Sequence, residues 1–451
     1  MPAQTDILAR FPQLHRFVAQ RHLKGTFAQF IPGMSESETC RWIGRRLLFW
    51  RRGIPPGPRL GIVSSRLGRR LHEKPNWFRM LRAAADHAAA DDSSLVVAPE
   101  TAAAPFVRKC AERFGLRTIP VHISERPSLE EWIEELEQLE SPEPMAYPVS
   151  VSPGLGPEPD EFTQRLADRA TMALSMKLLA FYVRPRGNIF ELLRQRLETG
   201  SDSATATFIG LGDGLTSPDV ARELMDRGAL GWHLIPPPPA PKVTVTPRIV
   251  TPRIVDVPRD AEWPFLSHWT RGCDGPWPGQ PDDEYLEELI NGSANADHSP
   301  LATLTRILRQ RRIEASGRLI RGQTPVVSFT AVPLGAFIQR RHYQRHQRRW
   351  DFEPYGIAIR RRWLEQRNVR PVIYGDDQTW ESLPPDQRPW FQTRQTRDQR
   401  TTWTSEQEWR HLGSLDLRTL TDNDVMLFVP TVADAEHLGQ LVSWPVAVLE
   451  S

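Results

Sequence analysis

The proline-rich segment at residues 236–258 is the feature that most restricts how this chain can fold. Residues 236–239 are four consecutive prolines, and the pentapeptide Thr-Pro-Arg-Ile-Val occurs twice in tandem, starting at Thr246. Consecutive prolines form a stiff, extended helix and donate no amide hydrogen, so they cannot enter the interior of a sheet. We therefore predict two folded parts, residues 1–235 and 259–451, joined by a semi-rigid spacer. Alternatively, the Ile-Val pairs form an edge strand.

The composition fits a folded protein that works inside the cell. Of 451 residues, 39% are hydrophobic and 25% are charged, which suits two or three ordinary domains. Three cysteines without a CxxC pair fit a reducing cytoplasm. The N-terminus lacks the apolar core of a signal peptide, and no apolar run is long enough to cross a bilayer. We expect a cytoplasmic protein that does not contact membranes, and the net charge of +2 excludes a polycation.

The N-terminal part alternates short apolar runs with segments of helical periodicity. We predict helical structure over residues 5–50 and a long amphipathic helix over residues 161–181. The predicted strands, with helices between them, are 59–65, 94–99, 117–123 and 206–211. Strands alternating with helices are typical of a doubly wound parallel sheet, so we predict an α/β, Rossmann-like N-terminal half.

A glycine-rich turn, Gly-Leu-Gly-Asp-Gly-Leu-Thr-Ser-Pro, follows the last of these strands and precedes a helix. Glycines let a backbone approach a ligand closely, and the amides at a helix N-terminus favour an anion. The residues of this candidate ligand loop, with one from a neighbouring strand end, are Gly210, Gly212, Asp213, Gly214, Thr216, Ser217 and Thr101. The glycine spacing matches a dinucleotide fingerprint only in part, so a purely structural β–α turn is the alternative.

Polar residues also follow two other predicted strands. Ser64 and Ser65 come after the first strand, and Pro99-Glu100-Thr101 comes after the second. Because ligands collect at the carboxyl ends of strands in open α/β sheets, we expect a nucleotide site at this edge. This half loosely resembles the Rossmann-like sensor domains that precede effectors in bacterial defence proteins, which implies a nucleotide-sensing role.

The C-terminal part is predicted to be a mixed α+β domain. The predicted strands are 265–270, 325–329, 356–359, 370–374, 408–412 and 425–429, and the predicted helices are 282–289, 301–311, 361–366 and 433–442. Five segments stand out within it: Leu266-Ser-His-Trp-Thr, Leu304-Thr-Arg-Ile-Leu, Val326-Val-Ser-Phe-Thr, Tyr355-Gly-Ile-Ala-Ile and Glu406-Gln-Glu-Trp-Arg. The interpretation of this part depends on the order and spacing of these five segments.

The order of these segments resembles that in a bacterial group related to ADP-ribosyltransferases, and the middle three are also similar to AbiG-type abortive-infection proteins. The resemblance covers about residues 263–432 and leaves an insertion at residues 272–299 unmatched. It implies an ADP-ribosyltransferase-like α+β fold, with NAD as the substrate that supplies the ADP-ribosyl group.

The resemblance also implies roles for individual residues. Glu408 would stabilise the oxocarbenium-like transition state, His268 would hold the adenosine-side ribose, and Glu406 would engage the acceptor. The implied NAD-binding residues are His268, Trp269, Thr270, Ser328, Thr330, Tyr355 and Arg410. Trp269 stands where the group more often has Tyr. The plainer alternatives are that His268 belongs to a core strand and that Glu408 and Arg410 form an ion pair on an inactive binding module.

Residues 340–350 form a strongly basic stretch with interleaved aromatic residues. Such a stretch could hold the NAD diphosphate or contact a nucleic-acid or protein acceptor, while a solvated loop is the alternative. The chain has no HExxH, P-loop, GxSxG or metal-spaced Cys/His motif, so we predict no metal. Cys273 near His268 lacks a third residue for nucleophilic catalysis.

The sequence thus predicts an NAD-dependent ADP-ribosyltransferase-type effector, regulated by an N-terminal nucleotide-sensing domain, in bacterial defence or toxin biology. The alternative is a non-catalytic antitoxin or regulatory protein that binds nucleic acid or a partner protein through its basic face. A third interpretation is NAD hydrolysis without transfer. Either a monomer or a homo-oligomer is compatible with the sequence.

Overall fold

The computed structural model describes residues 24–138, 144–156, 165–198, 205–234, 252–317, 320–339, 343–344, 349–350, 352–393 and 407–449. The chain divides into two compact units. Unit 1 comprises Met1–Pro238 together with Gln280–Ala296, and unit 2 comprises Pro239–Gly279 together with Asp297–Ser451.

Unit 1 is built on a nine-stranded sheet with the order β1-β2-β6-β5-β4-β3-β7-β8-β9. Its strands are β1 Thr26–Ala28, β2 Leu48–Trp50, β3 Arg59–Val63, β4 Ser94–Val97, β5 Thr118–Ile123, β6 Val149–Val151, β7 Lys177–Ala180, β8 Ala206–Leu211 and β9 Leu230–His233. From β6 through β3 to β9 the neighbouring strands are parallel. The chain adds β4, β5 and β6 on one side of β3 and then β7, β8 and β9 on the other. The predicted doubly wound parallel sheet is therefore confirmed.

Helices cover both faces of this sheet. They are α1 Glu36–Ile43, α2 Pro75–Ala90, α3 Ala104–Phe114, α4 Leu129–Gln138, α5 Leu166–Leu174, α6 Asn188–Glu198, α7 Pro218–Met225 and α8 Asp282–Asn291. Side chains of α1, α5, α6 and α7 share one core with the sheet, and those of α2, α3 and α8 share the other. Because successive residues of a strand point to opposite faces, Ile62 joins one core and Val63 the other.

Helix α8 belongs to unit 1, although its residues were predicted to lie in the C-terminal part. Its buried residues Tyr285, Leu289 and Ile290 pack with the core of α2 and α3. Lys109 Nζ on α3 lies 3.2 Å from Glu287 Oε1, and the Arg82 guanidinium on α2 donates to the Ile290 carbonyl. The periodicity of a helix shows which of its faces is apolar, but it does not show which core that face joins.

Two helical predictions in the N-terminal half are wrong in part. Of the residues read as helical between 5 and 50, those before residue 24 lie outside the described residues, and the others contain β1, α1 and β2. The helix predicted over 161–181 is the shorter α5 followed by strand β7. Leu178 and Leu179 of β7 are both buried, as in a central parallel strand. A fully buried strand lacks alternation, so periodicity alone cannot distinguish it from a helix.

Unit 2 contains a seven-stranded sheet with the order β16-β19-β12-β10-β15-β21-β22. The strands of unit 2 are β10 Phe265–Trp269, β11 Arg312–Ile313, β12 Val326–Thr330, β13 Tyr343–Gln344, β14 Arg349–Trp350, β15 Gly356–Arg360, β16 Arg370–Pro371, β17 Ile373–Gly375, β18 Phe391–Thr393, β19 Glu408–Leu412, β20 Leu415–Asp416, β21 Val425–Val429 and β22 Val446–Val448. Its helices are α9 Pro300–Gln310, α10 Leu334–Ile338, α11 Arg361–Glu365, α12 Asp377–Ser382 and α13 Val432–Gly439. The mixed α+β prediction agrees with this arrangement.

The end of the proline-rich segment lies along this second sheet. Residues 235–251 are outside the described residues. Ile254 forms a parallel bridge with Val446 of β22, and the Val255 amide donates to the Val446 carbonyl over 3.0 Å. The second Ile-Val pair therefore contacts the edge of this sheet through a single bridge, and the first pair lies outside the described residues. Among the described helices, none is both long enough and apolar enough to cross a membrane.

Candidate functional site

A cavity of about 280 Å³ lies at the carboxyl ends of β3 and β7 in unit 1. Strands β3 and β7 are neighbours, and the order of the parallel strands reverses between them. The residues that line this first cavity are Ser64, Ser65, Arg66, Glu100, Ala102, Arg165, Asp168, Arg184, Gly187, Asn188 and Ile189. A reversal of this kind is where open α/β sheets usually bind ligands.

Hydrogen bonds connect the loops that follow β3 and β7. The Ser65 amide donates to the Tyr182 carbonyl over 2.7 Å, and the Arg184 amide donates to Ser65 Oγ over 3.0 Å. The Arg184 guanidinium also donates to the Arg66 carbonyl over 2.7 Å. Ser65 Oγ accepts this bond and donates none within the described part of the chain, so its hydroxyl hydrogen is available to a ligand. These bonds preorganise the rim of the cavity.

The charges around the first cavity favour an anion. Arg66, Arg165 and Arg184 face two acidic residues, and the cavity also touches the first residues of α6. Burial raises the pKa of the Asp168 carboxyl, an effect that nearby Arg165 and Arg66 oppose and Glu100 reinforces. Asp168 is thus more readily neutralised than an exposed aspartate. The free amides at a helix N-terminus carry partial positive charge, which adds to that of the arginines.

A second cavity of about 280 Å³ lies beside the first, at the carboxyl ends of β4 and β5. The residues that line it are Ala98, Pro99, Glu100, Val121, His122, Ile123, Glu125, Glu135 and Ala167. Glu135 accepts from Ser124 Oγ over 2.5 Å and lies 3.2 Å from His122 Nε2. Burial by itself would raise the pKa of Glu135, but the hydrogen bond from Ser124 and the nearby His122 and Arg126 side chains outweigh it and lower the pKa. This second cavity is acidic.

The glycine-rich turn that was predicted as a ligand loop does not line either cavity. Gly212 and Gly214 have φ angles of 141° and 73°, which favour glycine, so both are required by the turn itself. A side chain at Gly210 would meet the Phe181 Cα at 3.2 Å. The structure thus gives these glycines a local packing role, and Asp213 serves the same turn by accepting from Asn76 Nδ2 through its carbonyl over 3.0 Å.

The hydroxyl residues of the predicted ligand loop are also used by the fold. Thr216 Oγ1 accepts from the Val183 amide and donates to the Phe181 carbonyl, each over 3.2 Å. Ser217 is the N-cap residue of α7 without a side-chain capping bond, and Thr101 Oγ1 donates to the Ala98 carbonyl over 3.0 Å. The structural alternative for this loop therefore fits better than a ligand loop.

Ser64, Ser65 and Glu100, which were predicted at this edge, all line the first cavity. Five polar residues that also line the cavity were not predicted: Arg66, Arg165, Asp168, Arg184 and Asn188. The signal was present in Arg-Pro-Arg-Gly-Asn at residues 184–188, which follows an apolar run and precedes a helix. That run, taken as a strand, places Arg184 and Asn188 at a strand–helix turn, whereas the other three residues lie elsewhere in the chain.

In unit 2, Glu408 lies in a network of charged and polar groups. Ser328 Oγ donates to Glu408 Oε1 over 2.7 Å. The Arg410 guanidinium binds both carboxylate oxygens, with Nε 2.8 Å from Oε1 and Nη2 3.0 Å from Oε2. The side chain of Arg410 is 1% exposed, and that of Glu408 is 11% exposed. Arg410 also donates to the Pro389 carbonyl, the Phe391 carbonyl and Gln392 Oε1.

Strand register places Ser328, Thr330, Glu408 and Arg410 on one face of the sheet. Ser328 pairs with Arg410, and Thr330 pairs with Glu408. Thr330 also pairs with Ser267, so this face continues onto β10 through Ser267 and not through His268. The structure therefore brings together four of the predicted site residues and places His268 on the opposite face.

His268 is partly buried against the core on that opposite face. Its ring lies 5.8 Å from the Phe329 ring, centroid to centroid. Its Nδ1 is 2.9 Å from the Ser328 carbonyl, which can only accept, so Nδ1 carries the hydrogen of the neutral ring. Burial lowers the pKa of His268, and the bond to Ser328 only partly offsets this effect. These contacts match the alternative in which His268 is a core residue.

The neutral state of His268 predicts acid sensitivity. A base whose pKa is lowered by folding contributes stability above its ordinary value of 6.5 that is lost as the pH falls through that value. We expect the free energy of unfolding of the protein to fall between pH 7 and pH 5, and to fall less steeply in His268→Gln. Urea titrations across this range measure both slopes, and equal slopes would contradict the assignment.

The other predicted NAD-binding residues are occupied by packing and hydrogen bonds. The Trp269 ring lies 4.7 Å from Phe337 and 4.6 Å from Phe428, centroid to centroid. Thr270 Oγ1 donates to the Pro300 carbonyl over 3.2 Å. Tyr355 Oη donates to an Asp434 carboxylate oxygen over 3.4 Å, and burial together with Asp434 raises the pKa of Tyr355 to about 12. Trp269 is thus part of an aromatic core cluster.

Two further predictions fall largely outside the described residues. Glu406 is one of them. Of the basic stretch at residues 340–350, the described backbone forms a short hairpin that pairs Tyr343–Gln344 with Arg349–Trp350. Their roles as acceptor-side residue and acceptor-binding surface stay predictions. Within the described ranges, no group of three or more His, Cys, Asp or Glu residues is placed to hold a metal ion.

Comparisons with known proteins do not identify a family for this chain. No family model matches the chain, and no curated protein matches it. Among solved structures, DNA processing protein A (DprA) from Streptococcus pneumoniae is similar, with 18% sequence identity and a TM-score of 0.26. The match covers 41% of this chain and 62% of that protein. Neither a family nor an activity follows from this likeness.

Proposed function

We propose that unit 1 is a Rossmann-like sensor domain that binds a nucleotide or a related phosphorylated small molecule in the first cavity. The observation that carries the proposal is the position of this cavity at the reversal of strand order between β3 and β7. Its arginines and the N-terminus of α6 supply the positive field that a phosphate requires.

Two arginines that have no hydrogen-bond partner among the described residues support this proposal. Within the described part of the chain, the side chains of Arg66 and Arg165 make no hydrogen bond or ion pair. Both nevertheless line the cavity beside Asp168. Arginine can hold a phosphate through two parallel N–H···O bonds, and unpaired arginines at a concave site can do so without first breaking another bond.

A nucleotide panel with an arginine variant tests the sensor proposal. At 100 times its Kd, a ligand should stabilise the folded protein by about 2.7 kcal/mol, seen as a rise in Tm. We expect Arg165→Ala to weaken binding at least tenfold. The matched control is Arg222→Ala on α7, because Arg222 is 68% exposed and pairs with Asp219. Equal affinity in the two variants, or no shift with any member of the panel, would refute the proposal.

A second candidate function is ADP-ribosyl transfer from NAD by an ADP-ribosyltransferase-like unit 2. The observation that favours it is the 2.7 Å hydrogen bond from Ser328 Oγ to Glu408 Oε1. A hydroxyl on a neighbouring strand supports the glutamate in the way that the sequence resemblance implies. The carboxylate would stabilise positive charge as the bond between ribose and nicotinamide breaks. His268 is not on the same face, so Ser267 is better placed than His268 to accompany Glu408.

Labelled NAD distinguishes an enzyme from a binding protein. The protein is incubated with labelled NAD and cell lysate, and both label transfer and nicotinamide release are followed. We expect Ser328→Ala and Glu408→Gln to reduce both signals at least tenfold, whereas His268→Ala retains activity in the fraction that folds. Background signal in the unmodified protein would exclude catalysis under these conditions and favour the non-catalytic alternative, a regulatory protein that uses residues 340–350 to bind nucleic acid or a partner.

A nucleotide sensor in the same chain as an NAD-consuming unit would suit a bacterial defence or toxin-type effector. In that scheme the ligand of unit 1 reports a change in the cell, and unit 2 responds to it. The support for this combination is the presence of a cavity in unit 1 and a glutamate–serine pair in unit 2.

A further inference from the structure

We infer that the ligand of unit 1 spans both cavities and that the second cavity recognises the amino group of a nucleotide base. The anionic group would lie in the first cavity, between β3 and β7, and the base would lie in the second, at β4 and β5. The inference rests on the proposed function of the first cavity and adds the chemical class of the ligand.

The two cavities are adjacent and have about the same volume. Glu100 lines both of them. Consecutive residues of α5 contribute to each, with Asp168 at the first cavity and Ala167 at the second. Each has a volume of about 280 Å³, which is below the usual range of roughly 300–1,000 Å³ for a ligand pocket. A ligand of ordinary size therefore has room if it occupies both.

The charges of the two cavities are opposite. The first is lined by Arg66 and Arg165, whose guanidinium groups make no hydrogen bond or ion pair within the described residues. The second has Glu125, and Glu100 stands between the two. In the part of the chain that the structure describes, the carboxylates of Glu100 and Glu125 have no hydrogen-bond or ion-pair partner. A ligand that satisfied both ends would be negative at one end and rich in N–H donors at the other.

Glu135 contributes differently from the other two acids. It is held by Ser124, His122 and Arg126, with Arg126 Nε at 3.5 Å from Oε1. These partners fix its position and keep it ionised. Glu135 therefore contributes negative potential to the second cavity but is less available than Glu125 to accept a hydrogen bond from a ligand. Glu125 is therefore the residue that we assign to direct contact with the ligand.

An amino-substituted nucleotide fits this distribution. Its phosphate matches the arginines, and its ribose hydroxyls can donate to Glu100. The exocyclic amino group of adenine, guanine or cytosine can donate to the Glu125 carboxylate, which only accepts when ionised. Val121 and Ile123 line the same cavity and offer apolar surface to a base. Hypoxanthine and uracil lack the amino group and present only a ring N–H beside carbonyl oxygens, which the carboxylate repels, so we expect them to bind more weakly.

Calorimetric titration of the full chain with five nucleotides and a sugar phosphate tests this inference. The amino-bearing ligands are AMP, GMP and CMP, the amino-free ligands are IMP and UMP, and ribose 5-phosphate reports on the first cavity alone. We expect the best amino-bearing ligand to bind at least tenfold more tightly than the amino-free ones. Glu125→Gln should remove this difference and leave the affinity for ribose 5-phosphate unchanged.

Two variants separate failure of this inference from failure of the sensor proposal. Arg165→Ala should weaken every phosphorylated ligand, including ribose 5-phosphate. Glu36→Gln on α1 is the matched control, because Glu36 is exposed and lines neither cavity, and it should change nothing. If Glu125→Gln changes all affinities equally or none, the inference on the second cavity is wrong while the first cavity stands. If no phosphorylated ligand binds to the unmodified protein, both are wrong.

Discussion

Replacing Leu289 and Ile290 by alanine is expected to loosen unit 1, although these residues lie far along the chain from its other helices. Both are buried in the core that α8 shares with α2 and α3. Truncation of a buried leucine or isoleucine to alanine costs about 2–5 kcal/mol, because apolar contacts are lost and a cavity remains. The double variant should therefore remove a large fraction of the stability of this unit.

Hydrogen exchange read by mass spectrometry locates the effect. We expect faster amide exchange in α2 and α3 in the double variant, together with a lower Tm. Glu284→Ala is the control, because Glu284 is on the exposed face of the same helix and its loss leaves the core intact. If exchange in α2 and α3 is unchanged, α8 is not part of the core of unit 1.

Much of the fold was predictable because it depends on local patterns. Apolar runs bounded by polar turns predicted strands β3, β4, β5 and β8, and the helices between them predicted their parallel arrangement. That arrangement was enough to place Ser64, Ser65 and Glu100 at a shared edge, where the first cavity lies. The prediction succeeded because the carboxyl ends of parallel strands meet whatever their order in the sheet.

The position of the strand reversal was not predictable in the same way. It depends on β7, whose residues are buried on both faces and therefore lack the alternation that identifies a strand. Without β7, Arg184, which follows it, could not be assigned to a site. The glycine-rich turn after β8 carried a stronger sequence signal, but its glycines are required by backbone geometry and by close contact with Phe181.

In the candidate site of unit 2, the register between strands could not be predicted from the sequence. Predicting β10, β12 and β19 from sequence did not determine which residues face each other. Glu408 and Ser328 share a face because of their register, and His268 is excluded from it by a single residue. A shift of one residue in a strand exchanges its two faces, and no local pattern around His268 encodes that choice.

Replacing Arg410 by methionine is expected to destabilise unit 2 more than any other single change proposed for it. Arg410 is fully buried, and its guanidinium group binds the Glu408 carboxylate and three further acceptors. Removing one partner of a buried ion pair leaves the other charge without compensation, which costs about 3–5 kcal/mol. Ser328→Ala removes one hydrogen bond to a charged group and should cost less, about 1.5–3 kcal/mol.

A double-mutant cycle separates the ion pair from the rest of the network. The variants are Arg410→Met, Glu408→Gln and the combination, each followed by chemical unfolding at neutral pH. Glutamine removes the charge that Arg410→Met would leave unpaired, so the combined variant should be more stable than the two single losses added together. Additive losses would mean that the carboxylate and the guanidinium act independently. Glu408 would then be free to face a ligand instead of serving as the counter-ion of a structural arginine.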